Sequence, residues 1–380
     1  MKEDEFLPLS DVRIIDLSKL LPGPWCTQVL ADMGAEIVKI ESPAGDPSRL
    51  NPPLVGSESI YFCGVNGGKQ SVVLDLKTEA DRKALYELIS EADVVIESFG
   101  KGGAAKLGID YAKAAEINPA IIYCSITGFG QHGPLSGIAG HDLAIQATTG
   151  QLSLGEGGMP PFQAGDYSAA CMATISILGA LRKRDRCADG QWKGCFLDVS
   201  MYDALMGMSN IALTSALARL SGRSGTPAIE VWGKNPRYRL YPTRDGGHVA
   251  VCLLEAKIWS VFCRQIGRQD LIAENENPSA RLTGHGERAG VYERVLADYF
   301  GSRDRLEVAR ELNGLHLPVM AVLNPDEAVA SEHAVAREVV IPVEHPSAGR
   351  VFVLRGTPPG RGIYKATREP SPKLGMKPTA

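Results

Sequence analysis

Three side chains stand where they could do chemistry: His141 in AGHD, Asp166 in AGD and Glu255 in LLEAK. An imidazole or a carboxylate can take or return a proton, and a carboxylate can also attack an electrophilic carbon. Each has a plainer use. An aspartate opening a helix accepts free backbone N–H groups, a histidine between Gly140 and Asp142 fills a loop, and a glutamate ahead of a helix complements the helix dipole. For Asp166 and His141 the local context alone favours the plainer use. Glycine-rich stretches at Thr127, Gly128 and the residues up to Gly130, and at Gly67 and Gly68, permit a ligand to approach the backbone closely; glycines also mark ordinary turns.

These residues need a scaffold, and the bulk composition describes one. The chain has 380 residues, which suits two domains of about 100–200 residues each. Its 44% hydrophobic and 22% charged residues match ordinary globular chains and set aside disorder and fibrous classes. A net charge of -4 without long runs of one sign gives nucleic acid no basic surface. Apolar stretches are broken by charge or glycine before reaching a membrane span of about 20 residues. The acidic start MKEDEF is unlike a signal peptide, so a cytoplasmic location is expected. Eight cysteines lie scattered without CxxC or metal-ligand spacing, and most are expected as buried free thiols.

Along the first 130 residues, short β-branched runs alternate with helical patterns, the rhythm of βαβ units and a parallel sheet. Strands are expected at 12–18, 35–41, 71–76, 93–98 and 121–130, with helices at 24–34 and 79–92. Ligands of such a sheet bind at the carboxyl ends of its strands. Further on come a buried helix over 166–181, a polar turn, a strand CFLDVS, a helix over 202–220 and a linker over 222–232. A hairpin turning at 244–247 and a helix over 257–266 follow. LPVMAVLN and VFVLRG read as strands, so the C-terminal part is expected to return to the first lobe.

Six segments occur in a shared order: LLPGPWCTQVLADMGAEIVKIE (20–41), NGGKQSVVLDLK (66–77), ADVVIESF (92–99), YCSITGFGQHGP (123–134), AGHDLAIQATTG (139–150) and Gly165 with Asp166. In them the chain resembles the family III CoA-transferases (CaiB/BaiF), closest to the α-methylacyl-CoA racemase branch. The resemblance implies an α/β fold: a Rossmann-like large domain built from both chain ends, a smaller α+β domain, and an interlocked homodimer. The expected boundaries are 1–222 for the N-terminal part of the large domain, 223–325 for the small domain and 326–380 for the returning segment. The active site would lie at the subunit interface, the partner's small domain closing over the acyl group.

The same resemblance implies an acyl-CoA thioester as substrate, with coenzyme A part of that substrate and neither metal nor redox cofactor. In racemases the residues matching His141 and Asp166 are two bases facing one α-carbon, and the one matching Glu255 pairs with the histidine. The Asp142 backbone N–H would stabilise the enolate oxygen. In transferases the residue matching Asp166 attacks the thioester to give a mixed anhydride. Phosphates of CoA call for cations, and where relatives have arginines in NRGK and FRPG this chain reads NGGK and FGKG, leaving Lys69 and Lys101 beside Lys39. Leu21 stands where the formyl-CoA enzyme has glutamine, EVWGKNPRY offers only Gly233 for that enzyme's glycine run, and Ala256 replaces a proline after Glu255. The first expectation is therefore racemase-like epimerisation at the thioester α-carbon. The alternative is CoA transfer between carboxylic acids through Asp166. A third is a catalytically silent subunit of a heteromer.

Overall fold

The computed structural model describes residues 7–154, 158–188, 191–222, 234–273, 285–356, 363–365 and 367–375. Six strands form one parallel sheet: β1 (Arg13–Leu17), β2 (Glu36–Glu41), β3 (Gln70–Val73), β4 (Val94–Glu97), β5 (Ile122–Thr127) and β6 (Cys195–Ser200). Their order, β3-β2-β1-β4-β5-β6, reverses direction between β1 and β4. It is the order of doubly wound sheets, whose crevice opens at that reversal. The fold is mixed α/β with a parallel sheet.

Both faces of this sheet are covered, which is why its strands read as near-continuous apolar runs. Ile14, Ile37, Val94, Ile96, Ile122 and Cys124 turn to one face, against α1 (Pro22–Asp32) and α6 (Ala164–Asp185). Their neighbours Ile15, Val38, Val95 and Tyr123 turn to the other, against α3 (Glu79–Ser90) and α4 (Tyr111–Ile117). Two further helices are α2 (Ile60–Val65) and α5 (Asp142–Thr148).

Helix α6 is longer than its composition suggests, because Gly179 does not end it. By length and composition it could cross a membrane, contrary to the expectation that every apolar stretch is interrupted early. Ala169, Ala170, Ala173 and Ile177 instead lie in the core, wholly shielded from solvent.

The chain forms two compact units: Met1–Thr149, Pro160–Met208 and Val329–Ala380 make the first, Gly150–Met159 and Ser209–Ala328 the second. The helix expected over 202–220 is two helices, α7 (Met201–Met208) and α8 (Asn210–Leu220), and the units part between them at Ser209. Helix α8 thus belongs to the second unit, whereas the sequence reading puts the boundary at 222. Most of the expected linker, and Gly233, lie outside the described residues.

The second unit is built on an antiparallel sheet, β9-β8-β7, of β7 (Tyr238–Pro242), β8 (His248–Cys252) and β9 (Val319–Ala321). Helices α9 (Ala256–Gln265), α10 (Ala289–Gly301) and α11 (Arg305–Gly314) bury Trp259, Phe262, Leu296, Phe300 and Leu312 against it. LPVMAVLN therefore stays in the second unit; VFVLRG belongs to a hairpin of the first, β10 (Val340–His345) with β11 (Gly349–Leu354). Beyond it the chain runs across the first unit. Arg368 pairs with Asp32, Gly68 N–H donates to the Pro370 carbonyl at 3.0 Å, and Gly375 N–H donates to Ser71 Oγ at 2.9 Å.

Candidate active site

The loops after β1, β4 and β5 converge with the first turn of α6 on a cavity of about 840 Å³. Lys101, Thr127, Gly128, His141, Asp142 and Asp166 all line it. Six of the expected residues thus meet at the place where a doubly wound sheet holds its ligands.

Backbone geometry brings them there. Thr127 ends β5, and its Oγ1 accepts the Gly130 N–H at 2.8 Å, which curls the strand end. A Cβ on Gly128 would stand 2.4 Å from the Gly140 Cα, and one on Gly140 would stand 2.4 Å from the Gly128 Cα. Only glycine at both positions lets the two chains cross here, and the crossing delivers His141 to the cavity. His141 is exposed and precedes the first turn of α5 without capping it through its side chain.

Asp142 opens α5, and its carboxylate is used twice: Oδ1 accepts the Gly165 N–H at 2.8 Å and Oδ2 accepts Gln146 Nε2 at 2.7 Å. Gln146 is buried and also donates to the Phe162 carbonyl at 2.9 Å. The start of α5 is thereby tied to the start of α6, where Asp166 stands half-buried. Burial first, and then the Asp142 charge, push the Asp166 carboxyl up from 3.8 to about 6. It remains mostly ionised at neutral pH yet is less stabilised as an anion than a carboxylate in water.

Tyr61, Asn51 and Lys19 also line the cavity, and residue chemistry did not single them out. Lys19 had a signal, since it follows β1 almost directly. Tyr61 had none, being placed by packing at the start of α2. Burial and the charges of Asp166 and Asp46 push the Tyr61 phenol up, so it stays a neutral hydroxyl. Tyr167 stacks on Phe162 at 5.0 Å and meets Trp25 edge-on at 5.7 Å, closing the side next to Asp166.

The expected phosphate contacts divide. Lys101 reaches the cavity, where its Nζ donates to Ser136 Oγ at 2.8 Å. Lys69 does not: it is 4% exposed, and its Nζ lies within 3.2 Å of Asp16 Oδ2, the Pro24 carbonyl, Thr27 Oγ1 and Asn66 Oδ1. Burial raises the Asp16 carboxyl, but Lys69, Lys39 and the Ser18 and Thr27 hydroxyls overcome it and hold the group at about 2. Lys39 is fully buried and paired with Asp46 at 2.9 Å. Both lysines are committed to internal carboxylates that the sequence could not match to them, and of the two only Lys39 also stands in the wall of a cavity, the smaller one described below. Gly67 and Gly68 likewise admit the chain itself, for a Cβ on Gly67 would fall 2.7 Å from the Glu369 carbonyl oxygen. Glu255 precedes α9 in the second unit, is exposed and is not part of this cavity's wall.

A second cavity of about 350 Å³ lies at the carboxyl ends of β1 to β3 and shares Lys19 and Phe99 with the first. Ile40, Leu74, Leu76 and Leu107 give it apolar walls, and Lys77 stands beside them. Among the described residues no group of three or more His, Cys, Asp or Glu side chains is placed to hold a metal ion.

The sequence profile described as CoA-transferase family III matches residues 9–377. A succinyl-CoA:mesaconate CoA-transferase from Haloarcula hispanica is 32% identical over 366 residues, covering 92% of this chain and 89% of its own. An acetyl-CoA:oxalate CoA-transferase from Acetobacter aceti is 32% identical over 347 residues, covering 88% and 85%. The crystal structure of a CaiB/BaiF family protein from Brucella suis matches with a TM-score of 0.79 at 29% identity, covering 97% of this chain and 96% of that one.

Proposed function

Because the chain belongs to CoA-transferase family III, we propose that it moves coenzyme A from an acyl-CoA donor to a free carboxylic acid, with Asp166 as the nucleophile. The observation that carries this reading is the Asp166 carboxyl in the large cavity, raised to about 6 and so ionised but poorly solvated. It corrects the order of preference drawn from sequence, in which racemisation came first; the relatives named above are transferases.

The bonds exchange as follows. Asp166 attacks the thioester carbonyl carbon, the C–S bond breaks, and CoA leaves as a thiolate, so that the acyl group remains joined to Asp166 as a mixed anhydride. The thiolate attacks the Asp166 carboxyl carbon and expels the donor acid, leaving an aspartyl-CoA thioester. The acceptor carboxylate attacks that carbon and expels the thiolate, which then attacks the acceptor's acyl carbon and frees Asp166. No electron or net proton is transferred. The Asp142 N–H, at the first position of α5, is a donor for the oxygen that becomes anionic at each attack.

The smaller cavity suits the nucleotide half of CoA, with apolar walls for a base and Lys19 and Lys77 for phosphates. Mesaconate and oxalate in the relatives' names, together with the Lys101 and His141 side chains in the cavity wall, support a dicarboxylic acid as acceptor. The interlocked homodimer stays part of the proposal. Leu217 and Leu220, on one side of α8, are 51% and 85% exposed and give a second copy apolar side chains to cover; sedimentation should return twice the chain mass.

Racemisation keeps one observation in its favour, His141 in the same cavity as Asp166. One assay separates the readings: an acyl-CoA is incubated in deuterated water with and without a panel of labelled dicarboxylic acids. Transfer predicts label in the thioester pool only when acid is present, with no deuterium at the α-carbon. Deuterium entering a 2-methylacyl-CoA without any acid, and no label transfer, would establish the racemase reading instead.

A further inference from the structure

Lys39 is shielded from solvent and, with Asp46, backs the smaller cavity; through the loop after β1 it also serves a wall of the larger one. Its Nζ donates to the Ser18 carbonyl at 3.0 Å and pairs at 2.9 Å with Asp46, which is 4% exposed. Asp46 in turn accepts the Leu20 N–H through both carboxylate oxygens at 3.3 Å. Between these two anchors the Lys19 N–H donates to Ser98 Oγ at 3.2 Å. Three successive residues after β1 are therefore tied by their backbone, and the loop they form contributes Lys19, Leu20, Leu21 and Pro22 to the large cavity.

Leu20 has φ +64°, the left-handed region that a leucine rarely occupies. Such a conformation persists only where its surroundings impose it, and the Asp46 carboxylate is what meets the Leu20 N–H. Asp46 also accepts the Ser48 N–H at 2.9 Å and Ser48 Oγ at 2.7 Å, capping the turn that leads to Asn51 on the same wall. A buried ion pair is often no more stabilising than apolar packing of the same volume. Its use here lies in shape.

We infer that Asp46, held by Lys39, is a positioning residue that keeps the 19–22 loop in its binding conformation by imposing the left-handed Leu20. The inference rests on the reading of the cavity as a CoA site. It is tested by the affinity of coenzyme A itself, measured by calorimetry, so that no particular reaction is assumed. Removing the carboxylate frees Leu20 to relax, and the dissociation constant should rise about 5–30-fold, the factor by which a left-handed leucine is disfavoured.

Asp46→Ala leaves Lys39 unpaired and could fail to fold, so Lys39→Met/Asp46→Ala is measured beside it. Adding Leu20→Gly, which enters the left-handed region freely, should restore affinity to within about threefold of the Leu20→Gly single variant without restoring the melting temperature. Unchanged affinity in the double variant, or no recovery on adding Leu20→Gly, overturns the inference. Wild-type protein that binds no coenzyme A overturns the functional reading instead, and this inference with it.

Discussion

Asp142 accepts the backbone N–H of Gly165 at 2.8 Å, and this one bond fixes a negative charge beside the residue that follows, Asp166. Two helices that start at the cavity are joined at their first turns, and the junction itself perturbs the proposed nucleophile. Burial is the larger cause of the raised Asp166 carboxyl, and the carboxylate that does the positioning adds to it.

The pH dependence of transfer follows from that arrangement. Asp166 acts as an anion, so kcat/KM should fall about tenfold per unit as pH drops below about 6. Asp142→Asn removes the like charge, and the acid limb should move to lower pH while the maximum rate falls through the weakened Gly165 anchor. An acid limb that does not move would remove Asp142 from this role.

Stability responds with the opposite preference. The Asp166 carboxyl is raised from 3.8 to about 6 in the folded chain. It therefore contributes stability below the unfolded value, and that contribution is lost as pH rises through the folded one. At pH 8 the ionised group should cost about 1–2 kcal/mol, the full shift being discounted for its partial exposure. Asp166→Asn should therefore melt a few degrees above the wild type at pH 8, with no advantage below pH 3.8. Equal melting temperatures at pH 8 would mean that the carboxyl is not perturbed.

How much of this was legible depended on range. The strands β1, β2, β4 and β5 announce themselves because burial on both faces demands unbroken apolar runs. VIPVEH did not, since Pro342 argues against a strand; a two-stranded hairpin tolerates it, and the alternation of buried Ile341, Val343 and His345 marks the covered face. Asp166, His141 and Asp142 could be found through the shared segments that contain them, because local context alone favoured a helix cap for Asp166 and a loop filler for His141. Lys39 and Lys69 could not be assigned, because a lysine's use depends on which carboxylate the fold brings to it. Asp16 lies 53 positions from Lys69 in the chain and 3.2 Å away in space.

Lys69 offers a direct check of that reassignment. Lys69→Met leaves Asp16 buried without its ammonium partner and should cost about 3–5 kcal/mol in urea unfolding. A phosphate contact would behave differently, with coenzyme A affinity falling and stability unchanged.

Gly128 and Gly140 should be equally intolerant. Alanine at either position would place its Cβ 2.4 Å from the other's Cα, and backbone cannot yield as a side chain can. Gly128→Ala should lose more than about 2 kcal/mol and nearly all activity, read by thermal melting and the transfer assay. A fully active Gly128→Ala would mean that the crossing does not set the site.

The central claim is a covalent bond to Asp166, and trapping tests it most directly. Hydroxylamine added while the protein turns over an acyl-CoA with a dicarboxylic acid should convert Asp166 to its hydroxamate, found by mass spectrometry on that residue alone and absent without thioester. Continued transfer with Asp166 unmodified, or undiminished transfer by Asp166→Ala, would contradict it.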